Sequence, residues 1–259
     1  MKENKLVLPF RIAVYICGLV AGILQLLSAL IAFEKGTHYF LRGAVLPVFA
    51  WIVALLGVGF AIASACLEKS QLLPERSRFS FLFPVVGFAA IIPSMFALLD
   101  SSFKTTVRLA ILTLILLIFA ALFCLLSVIF KGKKVSGITA LLGLAAILAP
   151  ACLTLLYYFD KSVEMNSPFK VTLQIGLLFA MFPFVCEVRT RLERPLPRLL
   201  LGLRLAAFPM ASLASCLLLP AFFSGSFAKS DYFFGGLFLC LLQLSLLFDL
   251  FAPRKDTHI

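Results

Sequence analysis

The sequence predicts an all-α, polytopic integral membrane bundle of about eight transmembrane helices, with both termini cytoplasmic. Three observations predict it. Of 259 residues, 62% are hydrophobic and 14% charged, with a mean hydropathy of +1.09, whereas a soluble domain is roughly 45–50% apolar and about 25% charged. The apolar residues fall into runs of about 20, the length at which a helix crosses a hydrocarbon core of ~30 Å. The basic residues stand in short tracts between those runs and are unevenly shared between the two sides. Eight such spans with short loops use up the chain, so residues 1–259 read as a single transmembrane domain.

The first span, 9–33, follows the basic start Met1-Lys2-Glu3-Asn4-Lys5. That start resembles a signal peptide, but the apolar run continues past Ala32 without a small-residue cleavage site, so it reads as retained. The second span is 44–67. The third, 80–99, is the shortest and carries Pro84 and Pro93, which predict a broken or re-entrant segment in place of a plain crossing. The fourth is 104–130. The fifth, 136–159, opens at Ser136, and the sixth, 170–187, follows Ser167-Pro168 as N-cap and first helical residue. Pro195-Leu196-Pro197 introduces the seventh, 198–222, and Ser230-Asp231 the eighth, 232–252. With the N-terminus inside, fifteen Lys and Arg lie on the cytoplasmic side and seven on the other, with Arg204 inside a span, as the positive-inside rule requires.

Spans three, five and seven carry similar runs: Gly87 to Pro93, Gly143 to Pro150 and Gly202 to Pro209, each a glycine, an Ala-Ala pair and a proline. They suggest a helical hairpin repeated in the same orientation about an axis along the membrane normal. Small residues allow close helix approach, and each proline frees a carbonyl one turn back. The six residues are therefore expected to line one central packing and kink seam, running past Ala90, Ala146 and Ala207.

Two charged constellations are candidate sites. The outer one comprises Asp100, Lys104, Asp160, Lys161, Glu164, Asn166 and Lys170, beside Tyr157 and Tyr158 as an aromatic belt; Asp160 is expected to face Asp100 across the outer mouth. The inner one comprises Glu187, Arg189, Arg191, Arg204 and Asp249. Glu187 with Arg191, and Arg189 with Glu193, stand at i,i+4. Arg204 either pairs with Asp249 or Glu187 or snorkels to the headgroups. Gln25, Gln174, Gln243, Thr113 and Thr154 read as hydrogen-bonding glue between helices.

Several function classes drop out. The two histidines, His38 and His258, lie in a loop and a tail, so no paired-His metal site is expected inside the bundle, and no cofactor motif occurs. G-x-x-x-x-G-K-[ST] and G-x-S-x-G are missing, and no nucleophile stands at a recognisable spacing from a base, so no enzyme is expected. The net charge of +11 is placed to meet anionic headgroups and not nucleic acid. The seven cysteines lack ligand spacing and read as small buried apolar residues. What remains is a transport-type protein for a small solute or ion; the alternative is a membrane subunit, sensor or scaffold, docking a protein partner or a second copy through its basic loops. Short loops, absent sequons and no organelle signal suggest a bacterial cytoplasmic membrane.

Overall fold

The computed structural model describes residues 7–34, 39–68, 78–99, 104–129, 137–192, 194, 196–227 and 229–250, with backbone alone at 78–79, 97–99, 104–105, 137–138 and 250. The chain forms helices α1 (Val7–Ile31), α2 (Leu46–Leu67), α3 (Arg78–Leu99), α4 (Lys104–Ile129), α5 (Gly137–Phe159), α6 (Pro168–Arg191), α7 (Arg198–Phe223) and α8 (Ser230–Leu250). Seven are long and apolar enough to cross a membrane. In hydrocarbon every backbone group must be bonded internally, and leucine-, alanine- and phenylalanine-rich runs do this as helix. The protein is a multi-pass integral membrane protein.

The third helix departs from the sequence expectation. Its apolar stretch, Ser80–Phe96, is the short one, yet α3 runs unbroken for 22 residues, about 33 Å at ~1.5 Å per residue. Pro84 has no N–H to give the Ser80 carbonyl. The hydroxyl of Ser245 on α8 supplies the missing donor at 2.6 Å, so the proline is absorbed by a neighbour.

Contacts sort the helix ends into two sets. Arg11 at the start of α1 pairs with Glu68 just beyond α2, Tyr15 Oη donates to the Leu246 carbonyl late in α8, and Arg191 at the end of α6 lies over Phe81 of α3 and Phe123 of α4. Odd helices therefore start, and even helices finish, at one end, called here the basic end. The Phe33–Phe40 bridge between α1 and α2, the α5–α6 loop and the α7–α8 loop share the opposite end.

Helices α3 to α8 form a closed ring in chain order, α8 returning to α3, with a lesser α6–α8 contact across it; α1 and α2 pack on the outside of α7. Aromatic residues fill the ring. Phe88 of α3 meets Phe184 of α6 at 5.3 Å and Phe238 of α8 at 4.9 Å between ring centroids, and all three are buried. Outward positions such as Ile16 and Ile23 on α1 and Ile111, Ile115 and Ile118 on α4 are exposed and face the lipid.

The six seam residues do not share one seam. Gly87 abuts Phe238, Gly143 abuts Val188 and Phe123, and Gly202 abuts Ile62 and Ala61 of α2. Pro150 and Pro209 are buried while Pro93 is exposed. Residues similar in sequence thus serve three different interfaces, because α7 carries α1 and α2 where α3 and α5 carry no added pair. Among the cysteines, Cys124 and Cys186 are buried in protein, whereas Cys66, near the end of α2, is exposed and not the buried residue expected.

Helices α1 and α7 approach closely at Gly18. A Cβ on Gly18 would stand 2.5 Å from the Phe208 ring and 3.2 Å from the Pro209 Cα, and a backbone atom cannot step aside as a side-chain tip can. Gly18→Leu is expected to lose about 1–3 kcal/mol, the range for overpacking, as a lowered melting temperature in detergent. Gly59→Leu, with nothing within 4 Å, is the control that should melt normally.

Candidate functional site

The site builds up in three levels along α8, joined by α7 at the second and third, starting at the opposite end. Asp160 ends α5, and its carboxylate accepts from the Ser162 N–H at 2.8 Å, the Ser162 hydroxyl at 2.5 Å and the Tyr232 hydroxyl at 3.2 Å. Lys170, in the first turn of α6, is only 1% exposed, and its Nζ donates to the carbonyls of Asp160 at 2.6 Å and Val163 at 3.3 Å. Lys229 reaches the same loop through Ser162, on its carbonyl at 3.1 Å and its hydroxyl. Tyr157 donates to the Asp231 carbonyl at 2.8 Å, and the Tyr157 and Tyr232 rings lie 4.9 Å apart. Two acids, two lysines and two tyrosines thus converge where α5, α6 and α8 meet.

Aromatic residues cover this level. Gly225, at φ +71, takes the left-handed turn that ends α7, and the Phe227 N–H then returns to the Ala221 carbonyl. Phe227 stacks on Phe169 at 4.1 Å, and Phe33 meets Phe169 at 4.8 Å. Tyr39 ties the α1–α2 hairpin down by donating to Glu164 Oε2 at 2.5 Å. That bond to a carboxylate, with some desolvation and the repulsion a phenolate would meet there, raises the Tyr39 pKa above its ordinary value.

Lys161, Glu164 and Asn166 are exposed. Asp100 lies outside the described residues, and Lys104 is described only as the backbone that opens α4, so the expected Asp100–Asp160 pairing falls outside the structure's description. The acid that shares Asp160's cluster is Asp231. Tyr157, read from sequence as belt, is buried; Tyr158 is the exposed one. Ser167 occupies the N-cap position of α6 but makes no side-chain cap bond.

At the middle level, Gln243 Nε2 of α8 donates to the Ser212 hydroxyl of α7 at 2.6 Å, and the Ser215 hydroxyl donates to Gln243 Oε1 at 3.3 Å. Gln25 of α1 is fully buried, and neither its Nε2 nor its Oε1 has a hydrogen-bond partner among the described residues. Thr113 and Thr154, expected to bridge helices, bond back to Leu109 and Pro150 of their own helices.

At the basic end, Arg204 Nη2 donates to Asp249 Oδ2 at 2.5 Å, with both side chains buried. Glu187 Oε1 accepts from Arg191 Nε at 2.6 Å, one turn along α6. The Arg191 guanidinium also stands 5.5 Å from the Phe81 ring centroid and 5.7 Å from that of Phe123, a cation–π geometry. Arg189 is half-buried, and its expected mate Glu193 lies outside the described residues.

Sequence reasoning passed over Lys229, Asp231, Tyr232 and Tyr39. The run Lys229-Ser230-Asp231-Tyr232 was legible as helix punctuation, and that reading concealed it. Its signal is that it repeats the Tyr-plus-Asp composition of Tyr157 to Asp160 at the same membrane level. Compared with known proteins, the chain matches no family model, no curated protein and no solved structure.

Proposed function

We propose that the protein moves a small solute across the membrane along α7 and α8, beside α1, and stands here closed at both ends. One observation carries this reading: polar side chains recur at three levels along α8, at Asp249 with Arg204 of α7, at Gln243 with Ser212 and Ser215 of α7, and at Asp231 and Tyr232, which meet Tyr157 of α5 and Asp160 just beyond it. At ~1.5 Å per residue, Arg204 and Ser212 stand about 12 Å apart along α7, and Gln243 and Asp231 about 18 Å apart along α8. Polar groups at such depths are costly in lipid and commonly mark pathways. The ion pair and the tyrosine–aspartate cluster would act as the two closures, and the amide–hydroxyl level as the place of passage.

Thiol accessibility tests the reading. In a variant whose seven native cysteines are replaced, Ser212→Cys in intact vesicles is expected to react with a water-soluble thiol reagent well above the rate of Ala146→Cys. Ala146 is fully buried in the ring and away from α1. Equal, slow labelling at both positions would end the pathway idea.

The aromatic filling of the ring supports a second reading, a non-transporting subunit or sensor. Its basic tracts would dock a protein partner or anionic lipid. That reading expects Ser212→Cys to stay silent and a stoichiometric companion to survive purification in mild detergent.

A further inference from the structure

Gln25 is the one fully buried side chain whose amide finds no partner at either end among the described residues. Its surroundings follow from the packing of α1 on α7. Gly18 meets Phe208 and Pro209, and a Cβ on Gly22 would stand 3.0 Å from Cys216 Sγ and 3.7 Å from Ser212 Oγ. The two helices therefore run in the same direction, and Gln25, on the face shared by Gly18 and Gly22, comes level with the turn from Ser215 to Leu219. In that turn Pro220 has no N–H to offer, so the Cys216 carbonyl lacks its helical donor. One fully buried donor-and-acceptor amide thus stands level with one freed carbonyl, that of the half-buried Cys216.

Leaving such groups unmatched is expensive, and a native protein retains them for a reason. The side chains α1, α7 and α8 bring to this level, Gly22, Gln25, Ser212, Ser215, Cys216 and Gln243, are all uncharged. The charged side chains described on these helices, Arg11, Arg198, Arg204, Asp231 and Asp249, stand toward the two ends. An ion held at this depth would be buried without a counter-charge, whereas a neutral molecule with adjacent donors and acceptors would satisfy the Gln25 amide. We propose that the cargo is a small uncharged hydrogen-bonding solute of the polyol or urea class and that Gln25 is its main contact. This inference rests on the transport reading above and narrows it.

The test uses the purified full chain in lipid vesicles, with light scattering after an osmotic step in glycerol, urea or sodium gluconate. Protein-dependent entry of glycerol or urea, and none of gluconate, is expected. Gln25→Leu should slow that entry at least about tenfold, the effect of losing ~1.4 kcal/mol. The same variant should melt no lower than the parent, because leucine removes buried polar atoms that had no partner. Protein-dependent gluconate entry, an unchanged rate in Gln25→Leu, or a parallel loss of rate and melting temperature would each overturn the proposal, the last by marking Gln25 as a packing residue. Labelling of Ser212→Cys in the same vesicles separates the two levels of argument. An unreactive thiol removes the pathway itself. A reactive thiol, with no entry of either neutral probe and no slowing of labelling by them, removes only the assignment of cargo.

Discussion

Arg204→Ala is expected to destabilise the purified protein by about 3–5 kcal/mol, the range for removing one member of a buried ion pair. The reason is what remains. Asp249 is 8% exposed and Arg204 5% exposed, so truncating the arginine leaves a carboxylate in a low-dielectric setting without its guanidinium. Asp249→Ala should cost a similar amount, and the Ala/Ala double variant less than the sum, since the two side chains form one unit. Replacing both by apolar residues of similar volume, Arg204→Met with Asp249→Leu, is expected to recover most of the melting temperature and to abolish whatever gating the pair provides. Melting curves of the parent and the four variants in one detergent decide. A loss within about 0.5 kcal/mol for Arg204→Ala, the size of an ordinary surface change, would mean that the arginine reaches the headgroups and that its bond to Asp249 contributes little.

The pair also shows what could be read in advance. Hydropathy made eight helices visible because the bilayer imposes one length on every crossing, and the i,i+4 spacing of Glu187 and Arg191 required no tertiary knowledge. Arg204 and Asp249, 45 residues apart, could be matched only by depth, which left Glu187 and the headgroups as rival partners. Lateral arrangement was less legible still. Gly87, Gly143 and Gly202 are alike in sequence, but a glycine states only that something approaches closely, not which helix. Exposed and buried faces of a membrane helix are both apolar, so periodicity carries little information about neighbours. Pro84 shows the same limit from the other side, since the Ser245 hydroxyl that keeps α3 continuous lies on α8 and is invisible from α3. The Asp231–Tyr232 cluster was hidden by a correct local reading, because a residue that starts a helix can also contribute to a site.

Lys170→Met is the second large effect expected, and it concerns the opposite end. The ammonium group is almost fully buried, yet it serves two backbone carbonyls, those of Asp160 and Val163, and so pins the α5–α6 loop from beneath. A cation beyond the last turn of α5 also meets the negative end of that helix. Methionine matches the stem in length but offers no donor, leaving two carbonyls and the Asp160 carboxylate without their cation. Hydrogen bonds to charged groups contribute about 1.5–3 kcal/mol each, so losing two is expected to cost about 3–6 kcal/mol. The loop should loosen with it, carrying Ser162 away from Lys229. In a background without native cysteines, Ser162→Cys would then label faster in Lys170→Met than alone, and protease should cut near Glu164 sooner. Lys161→Met, at an exposed position of the same loop, should change neither readout. If Lys170→Met melts and labels like its parent, the buried lysine holds nothing, and the closure assigned to this end would rest on Tyr232 and Asp160 alone.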